Sequence, residues 1–176
     1  AACQVSLRNS LLTRHIEGEI KDITEQSWDI RYALQATPAV TIAILSLGQL
    51  EYISRCLDSI ITTTRYPVFE ILIVTNELPD DPELDQWLKQ AIARSGSPAI
   101  RLTYTKASAN HASRCNTAIA STENDLIVLV REETVFVQEI WLEELVRACQ
   151  QQEVGAASPL IHQTKNTKIL ASGNVL

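Results

Sequence analysis

Five consecutive apolar residues, Leu126-Ile127-Val128-Leu129-Val130, end abruptly in Arg131-Glu132-Glu133-Thr134. A strand with one face in water alternates polar and apolar residues. This run does not, so it reads as a strand covered on both sides. Residues 40–47 and 69–74 repeat the texture, and residues 100–105 give a shorter version. Between these runs the apolar period changes from continuous to 3.6. Tyr52, Ile53, Cys56, Leu57, Ile60 and Ile61 share one helical face. Leu84, Trp87, Leu88, Ala91 and Ile92 share another. Asn110 is placed to cap a helix over residues 110–121, and Val137, Ile140, Trp141, Leu145 and Ala148 mark one more. Strand and helix alternate four times. The expected fold is α/β, a mostly parallel Rossmann-like sheet with helices on both faces, joined by right-handed crossovers.

The ends differ in texture. Leu7, Leu11, Leu12, Ile16, Ile20 and Ile23 follow helical spacing, and Trp28, Ile30 and Leu34 suggest a second helix. Residues 1–37 are therefore expected to be a helical appendage and linker, ending where Thr37 precedes Pro38, with the main domain over 38–176. Residues 154–161 and 169–176 read as two last strands around a polar turn.

Composition narrows the function. The net charge of −6 argues against a nucleic-acid or anionic-membrane binder. No apolar run approaches the ~20 residues of a membrane span. The four cysteines form no CxxC, which suits a reducing cytoplasm. Methionine is absent even at position 1, so we expect a piece of a longer or processed protein. The five glycines are never clustered, which leaves no glycine-rich phosphate cradle. In an open α/β sheet ligands bind at the carboxyl ends of the strands, here near Ser46, Thr75, Thr105 and Arg131. Glu132 and Glu133 at that edge could hold a divalent cation, or simply favour the start of the next helix. Cys115 has no evident neighbouring base and His111 reads as a solvated or capping residue.

Val40-Thr41-Ile42-Ala43-Ile44 is followed by Leu50-Glu51-Tyr52-Ile53-Ser54-Arg55-Cys56-Leu57-Asp58-Ser59-Ile60, and then by Tyr66-Pro67-Val68-Phe69-Glu70-Ile71. Further on come Asn116-Thr117-Ala118-Ile119, Trp141-Leu142-Glu143-Glu144-Leu145 and Val154-Gly155-Ala156-Ala157-Ser158-Pro159. In that order, over residues 39–176, these segments resemble the family 2 glycosyltransferases and their GT-A nucleotide-sugar fold: the first strand and its "LxYLxxCLxSI" helix, the opening of the second strand, the "NxGI" helix, the "WLExL" and the "VGAVGP" segment. The resemblance implies a transferase that moves a sugar from a nucleotide-diphosphate sugar to an acceptor. It implies Mg²⁺ or Mn²⁺ bound by a DxD motif, to neutralise the leaving diphosphate.

The triplet in the DxD position is Arg131-Glu132-Glu133. Glu133 is the implied metal ligand, and Arg131 either holds a phosphate directly or repels the metal. The implied donor-binding set is Ser46, Leu47 and Gly48 after the first strand, Thr75, Asn76, Glu77 and Asp80 after the second, then Arg114, Asn116, Arg131 and Glu132. Leu47 stands where the family often has an aromatic residue, Thr75 where it has an acid, and Cys115 where it has an arginine, with Arg114 next door. The family's general base lies beyond residue 176, so no catalytic residue is assigned, and the chain alone is expected to be inactive. The alternative expectation is a catalytically degenerate domain serving as a structural or interaction module.

Overall fold

The computed structural model describes residues 2–13, 17–24, 27–76, 81–106, 109–163 and 169–172. They form two compact units. One comprises residues 37–139; the other combines residues 1–36 with residues 140–176.

The 37–139 unit is built on a four-stranded sheet. Its elements are β3 (Val40–Leu45), α2 (Leu50–Thr63), β4 (Phe69–Asn76), α3 (Pro82–Arg94), β5 (Ile100–Thr105), α4 (His111–Ala120) and β6 (Leu126–Arg131). The strand order is β5-β4-β3-β6 and every pairing is parallel. The register aligns Ile44 with Ile73 on one side and Val130 on the other. Every residue of β3 is buried, as its unbroken apolar run requires. Successive side chains point to opposite faces. Ala43 and Leu45 join Leu72, Val74 and Ala118 of α4 in one cluster. Ile42, Ile44, Ile71 and Ile73 lie on the other face and are also 0% exposed. Burying an isoleucine side chain is worth about 1.5–3 kcal/mol. The expected α/β architecture is therefore present, with a parallel sheet flanked by helices.

Local signals account for the helices. Asn110 caps α4, its side chain accepting from Ser113 N at 2.9 Å. Asp81 caps α3, accepting from Glu83 N at 2.9 Å, with Pro82 in the first turn. The threonine run ends α2 at Thr63.

Two expectations need correction. β6 is not covered on both faces: Leu129 is 43% exposed, and residues 126–128 are only half-buried. Among the described residues β6 pairs with β3 alone, so it stands at the sheet's end. The second correction concerns the first 36 residues. A helix is present, α1 (Ala2–Thr13), but β1 (Gly18–Thr24) and β2 (Ser27–Tyr32) replace the expected second helix. They form an antiparallel hairpin that sets Gly18 opposite Tyr32 and Ile20 opposite Ile30. A register that sets apolar residues across from one another favours the ladder over a helix.

In this second unit α5 (Trp141–Cys149) is tied to β2. Arg31 Nε donates to Glu144 Oε1 at 2.8 Å and Arg147 Nη1 to Tyr32 O at 2.7 Å. β7 (Leu160–His162) and β8 (Ile169–Ser172) pair antiparallel. Of the expected turn at residues 163–167, residues 164–167 lie outside the described residues.

Candidate functional site

The sheet's two edges are built differently. At the amino edge the polar groups satisfy one another. Thr41 Oγ1 donates to Glu70 Oε1 at 2.9 Å, and Asn124 Nδ2 donates to Thr41 Oγ1 at 2.9 Å. Arg101 grips Glu70 with Nε to Oε2 at 2.9 Å and Nη2 to Oε1 at 2.7 Å. That hydrogen bond from Arg101 holds the Glu70 carboxyl below the usual carboxylate range.

The carboxyl edge carries unmet demand. Two buried side-chain nitrogen or oxygen atoms among the described residues have no hydrogen-bond partner: Arg114 Nε and Glu132 Oε1. Both belong to this edge. Buried polar groups are satisfied in the great majority of cases, so each orphan calls for an explanation.

Around Glu132 the strand order matters. β3 runs between β4 and β6, and the chain's crossovers go to one side after β3 and to the other before β6. The carboxyl ends of β3 and β6 thus flank the sheet's switch point, where open α/β sheets take ligands. Ser46 follows β3 and Glu132 follows β6. Ser46 Oγ donates to Glu132 Oε2 at 2.6 Å and accepts from Gly48 N at 3.0 Å. Gly48 has φ +94°, a conformation that a side chain resists. The sharp turn leaves Leu47 52% exposed at the rim. Beneath it, burial first, then the charges of Glu132 and Glu133, push the Cys56 thiol up to about 12.

On the other side stand Thr75, Asn76, Thr105 and Arg114. Arg114 is 7% exposed, and its Nη2 donates to Asn76 Oδ1 at 2.9 Å. Thr105 Oγ1 donates to Thr75 O at 3.3 Å and to Asn76 Oδ1 at 3.4 Å. A buried guanidinium is thereby held at the ends of β4 and β5.

Arg131 and Glu133 face outward. Arg131 donates from Nη2 to Glu133 Oε1 at 3.0 Å and from Nε to Oε2 at 3.3 Å. Their side chains are 69% and 36% exposed. The hydrogen bond from Arg131 holds the Glu133 carboxyl below its ordinary value and in turn raises the guanidinium.

The implied donor-binding residues therefore divide. Ser46, Leu47, Gly48, Thr75, Asn76, Arg114, Arg131 and Glu132 stand at one edge. Asn116 is exposed, two residues beyond Arg114 and so about 200° around α4 from it. Glu77 and Asp80 lie outside the described residues. Reading residues one at a time missed the Ser46–Glu132 bond and the role of Thr105. It also missed that His111 Nε2 lies 3.6 Å from Cys115 Sγ. The four-residue spacing on one helix is the signal that could have found that pair.

The donor set can be tested against a divalent cation. Hard cations require several oxygens converging on one point. Among the described residues no three His, Cys, Asp or Glu side chains gather so. Both oxygens of Glu133 are engaged by Arg131, and Glu132 gives one oxygen to Ser46 and buries the other. These residues, as arranged, do not fit a resident divalent cation.

The chain matches no protein-family model. It is 29% identical over 154 residues to the O-antigen biosynthesis protein RfbC of Myxococcus xanthus, a stretch covering 82% of this chain and 11% of that protein. It is 24% identical over 136 residues to the uncharacterized protein y4gI of Sinorhizobium fredii (strain NBRC 101917 / NGR234), covering 77% of this chain and 15% of that one. The chain thus spans a small part of the length of these relatives. Among solved structures it is similar to the mannosyltransferase PcManGT from Pyrobaculum calidifontis, in complex with GDP-Man and Mn2+. The TM-score is 0.62 at 18% identity, over 81% of this chain and 41% of that one. This likeness shows that the α/β fold is one a glycosyltransferase uses.

Proposed function

We propose that this chain is the donor-binding part of a glycosyltransferase and takes a nucleotide-diphosphate sugar at the carboxyl edge of its sheet. The observation that carries the reading is the pair of orphaned buried groups, Arg114 Nε and Glu132 Oε1, on the one edge where the topology opens a crevice. The relatives point the same way: one is named for O-antigen biosynthesis, and the fold is shared with a mannosyltransferase in complex with GDP-Man.

The residues have distinct parts in this reading. Arg131 ends β6, and Arg114, on α4, is held by Asn76 at the end of β4, so the two cations are anchored at strands on either side of β3. An extended, doubly anionic group laid across the edge would lie between them. Ser46, Leu47 and Gly48 line its near side and Thr75 and Asn76 its far side, while Glu132 holds the Ser46–Gly48 turn in shape. Glu77, Asp80 and Asn116 remain in the set on the strength of the resemblance. A Mg²⁺ or Mn²⁺ bridging the diphosphate to Glu133, as the resemblance implies, requires Arg131 first to release both carboxylate oxygens. The half-buried free thiols of Cys115 and Cys149 suit a cytoplasmic setting. Among the described residues no helix is long and apolar enough to cross a membrane.

A degenerate module is the second reading, favoured by the closure of Arg131 on Glu133. Thermal unfolding against UDP-, GDP- and dTDP-sugars separates the two. A ligand at ~100 times its Kd adds ~2.7 kcal/mol, several degrees for a chain of this size. A saturable rise that Arg114→Gln diminishes is expected. No rise with any donor, with or without Mn2+, would leave the module reading.

A further inference from the structure

We propose that Arg131 takes the donor's diphosphate directly, with no divalent cation between them, and that Glu133 is a resident counter-ion which the diphosphate displaces. This rests on the donor-binding reading above and deepens it.

Arg131 is the last residue of β6 and pairs in register with Leu45, one residue before Ser46. Its backbone therefore sits beside the switch point, and its exposed side chain is free to reach a ligand there. The group is a planar fork whose geometry matches two oxygens of a carboxylate or a phosphate equally well. Here it holds the two oxygens of Glu133 in that manner. Glu133 is thus a model of the ligand already in place, with one negative charge where a diphosphate offers more.

The exchange is also an easy one. Both side chains reach solvent, at 69% and 36% exposure, so the pair is screened and weakly held. Buried pairs behave otherwise: opening one strands a charge away from water. An incoming diphosphate keeps Arg131 neutralised and lets Glu133 swing into water, which hydrates it. Arg114 cannot make the same exchange, since its guanidinium is buried and held by Asn76.

A metal-bridged donor inverts the role of Glu133. There the carboxylate is a ligand, and its loss removes the cation and the nucleotide together. Here it is a competitor, and its loss leaves Arg131 free. The two arrangements predict opposite signs for one substitution, Glu133→Gln, which keeps size but removes the charge and one of the two accepting oxygens that hold Arg131.

The test is calorimetric titration of the whole 176-residue chain with GDP and UDP, in EDTA and again in Mn2+. Circular dichroism confirms that each variant is folded. We expect the unaltered chain to bind one of these nucleotides in EDTA, with affinity that falls as salt rises. Glu133→Gln should tighten binding about two- to fivefold, the value of releasing an exposed ion pair. Arg131→Gln should weaken it at least about tenfold, as expected for a charge-assisted pair. Glu139→Gln is the control, because Glu139 forms a similarly exposed pair with Arg65 at 3.1 Å. An equal gain in that variant would reduce the effect to overall charge and overturn the proposal. Binding that needs Mn2+ and disappears in Glu133→Gln would overturn it too, while leaving the donor-binding reading standing. No binding of either nucleotide in EDTA or Mn2+ would remove both.

Discussion

Replacing Ser46 by alanine should destabilise this chain far more than a small polar-to-apolar change usually does. The hydroxyl is fully buried and serves two partners at once, donating to Glu132 Oε2 at 2.6 Å and accepting from Gly48 N at 3.0 Å. A hydrogen bond to a charged group contributes about 1.5–3 kcal/mol, and an ordinary one about 1. Ser46→Ala removes both and leaves Glu132 with two unpartnered oxygens in place of one. The expected loss is therefore about 3 kcal/mol. At roughly 2–4 °C per kcal/mol for a chain of this length, Tm should fall by about 6–12 °C in a calorimetric scan. The second half of the prediction is non-additivity. Glu132→Leu in the Ser46→Ala background removes the stranded carboxyl group, including the oxygen that lacks a partner even in the unaltered chain. The double variant should recover most of the lost stability. A single-variant loss under about 0.5 kcal/mol, or strictly additive losses in the double variant, would refute the account of Glu132 as a buried group dependent on Ser46.

Two more predictions follow from the titrating groups. Glu70 has its folded-state carboxyl lowered, chiefly by the hydrogen bond from Arg101. Its contribution is fully present above the ordinary value of 4.5 and is lost as pH falls below it, so Arg101→Gln should flatten the acid limb of a stability–pH curve measured by urea unfolding. Cys56, pushed up to about 12, has a thiolate fraction of only about 10⁻⁴ at pH 8. Iodoacetamide labelling of the native chain, mapped by mass spectrometry, should reach the half-buried Cys115 first and Cys56 only on unfolding; early labelling of Cys56 would contradict its placement.

How much of this was legible in the sequence varies with the range of the interactions. The helix over Leu50–Thr63, the strand over Ile100–Thr105 and the Asn110 cap each follow from residues within a turn or two of one another. Such short-range patterns survive in one dimension. The hairpin of β1 and β2 was not legible. Its isoleucines fit a helical spacing as well as a strand, and what decides is a ladder between residues ten or more apart, Ile20 with Ile30 and Gly18 with Tyr32. β6 misled for a related reason: an unbroken apolar run states that a strand avoids water but not how many neighbours it has.

The site divides along the same line. The alternation of apolar runs and helical periods was enough to set a parallel sheet, and hence to say that Ser46, Thr75, Thr105 and Arg131 end at one edge. Which of two adjacent glutamates turns inward could not be read locally. That depends on Ser46, 86 residues away, offering Glu132 a hydroxyl, and on Arg131 drawing Glu133 outward. The sequence by itself determined the sheet and the edge where chemistry can occur, because hydrophobic periodicity is a local property of the chain. Only the tertiary structure decided which carboxylate is buried, which is neutralised and which guanidinium is held, because burial and charge pairing are settled between residues that meet only after the strands have paired.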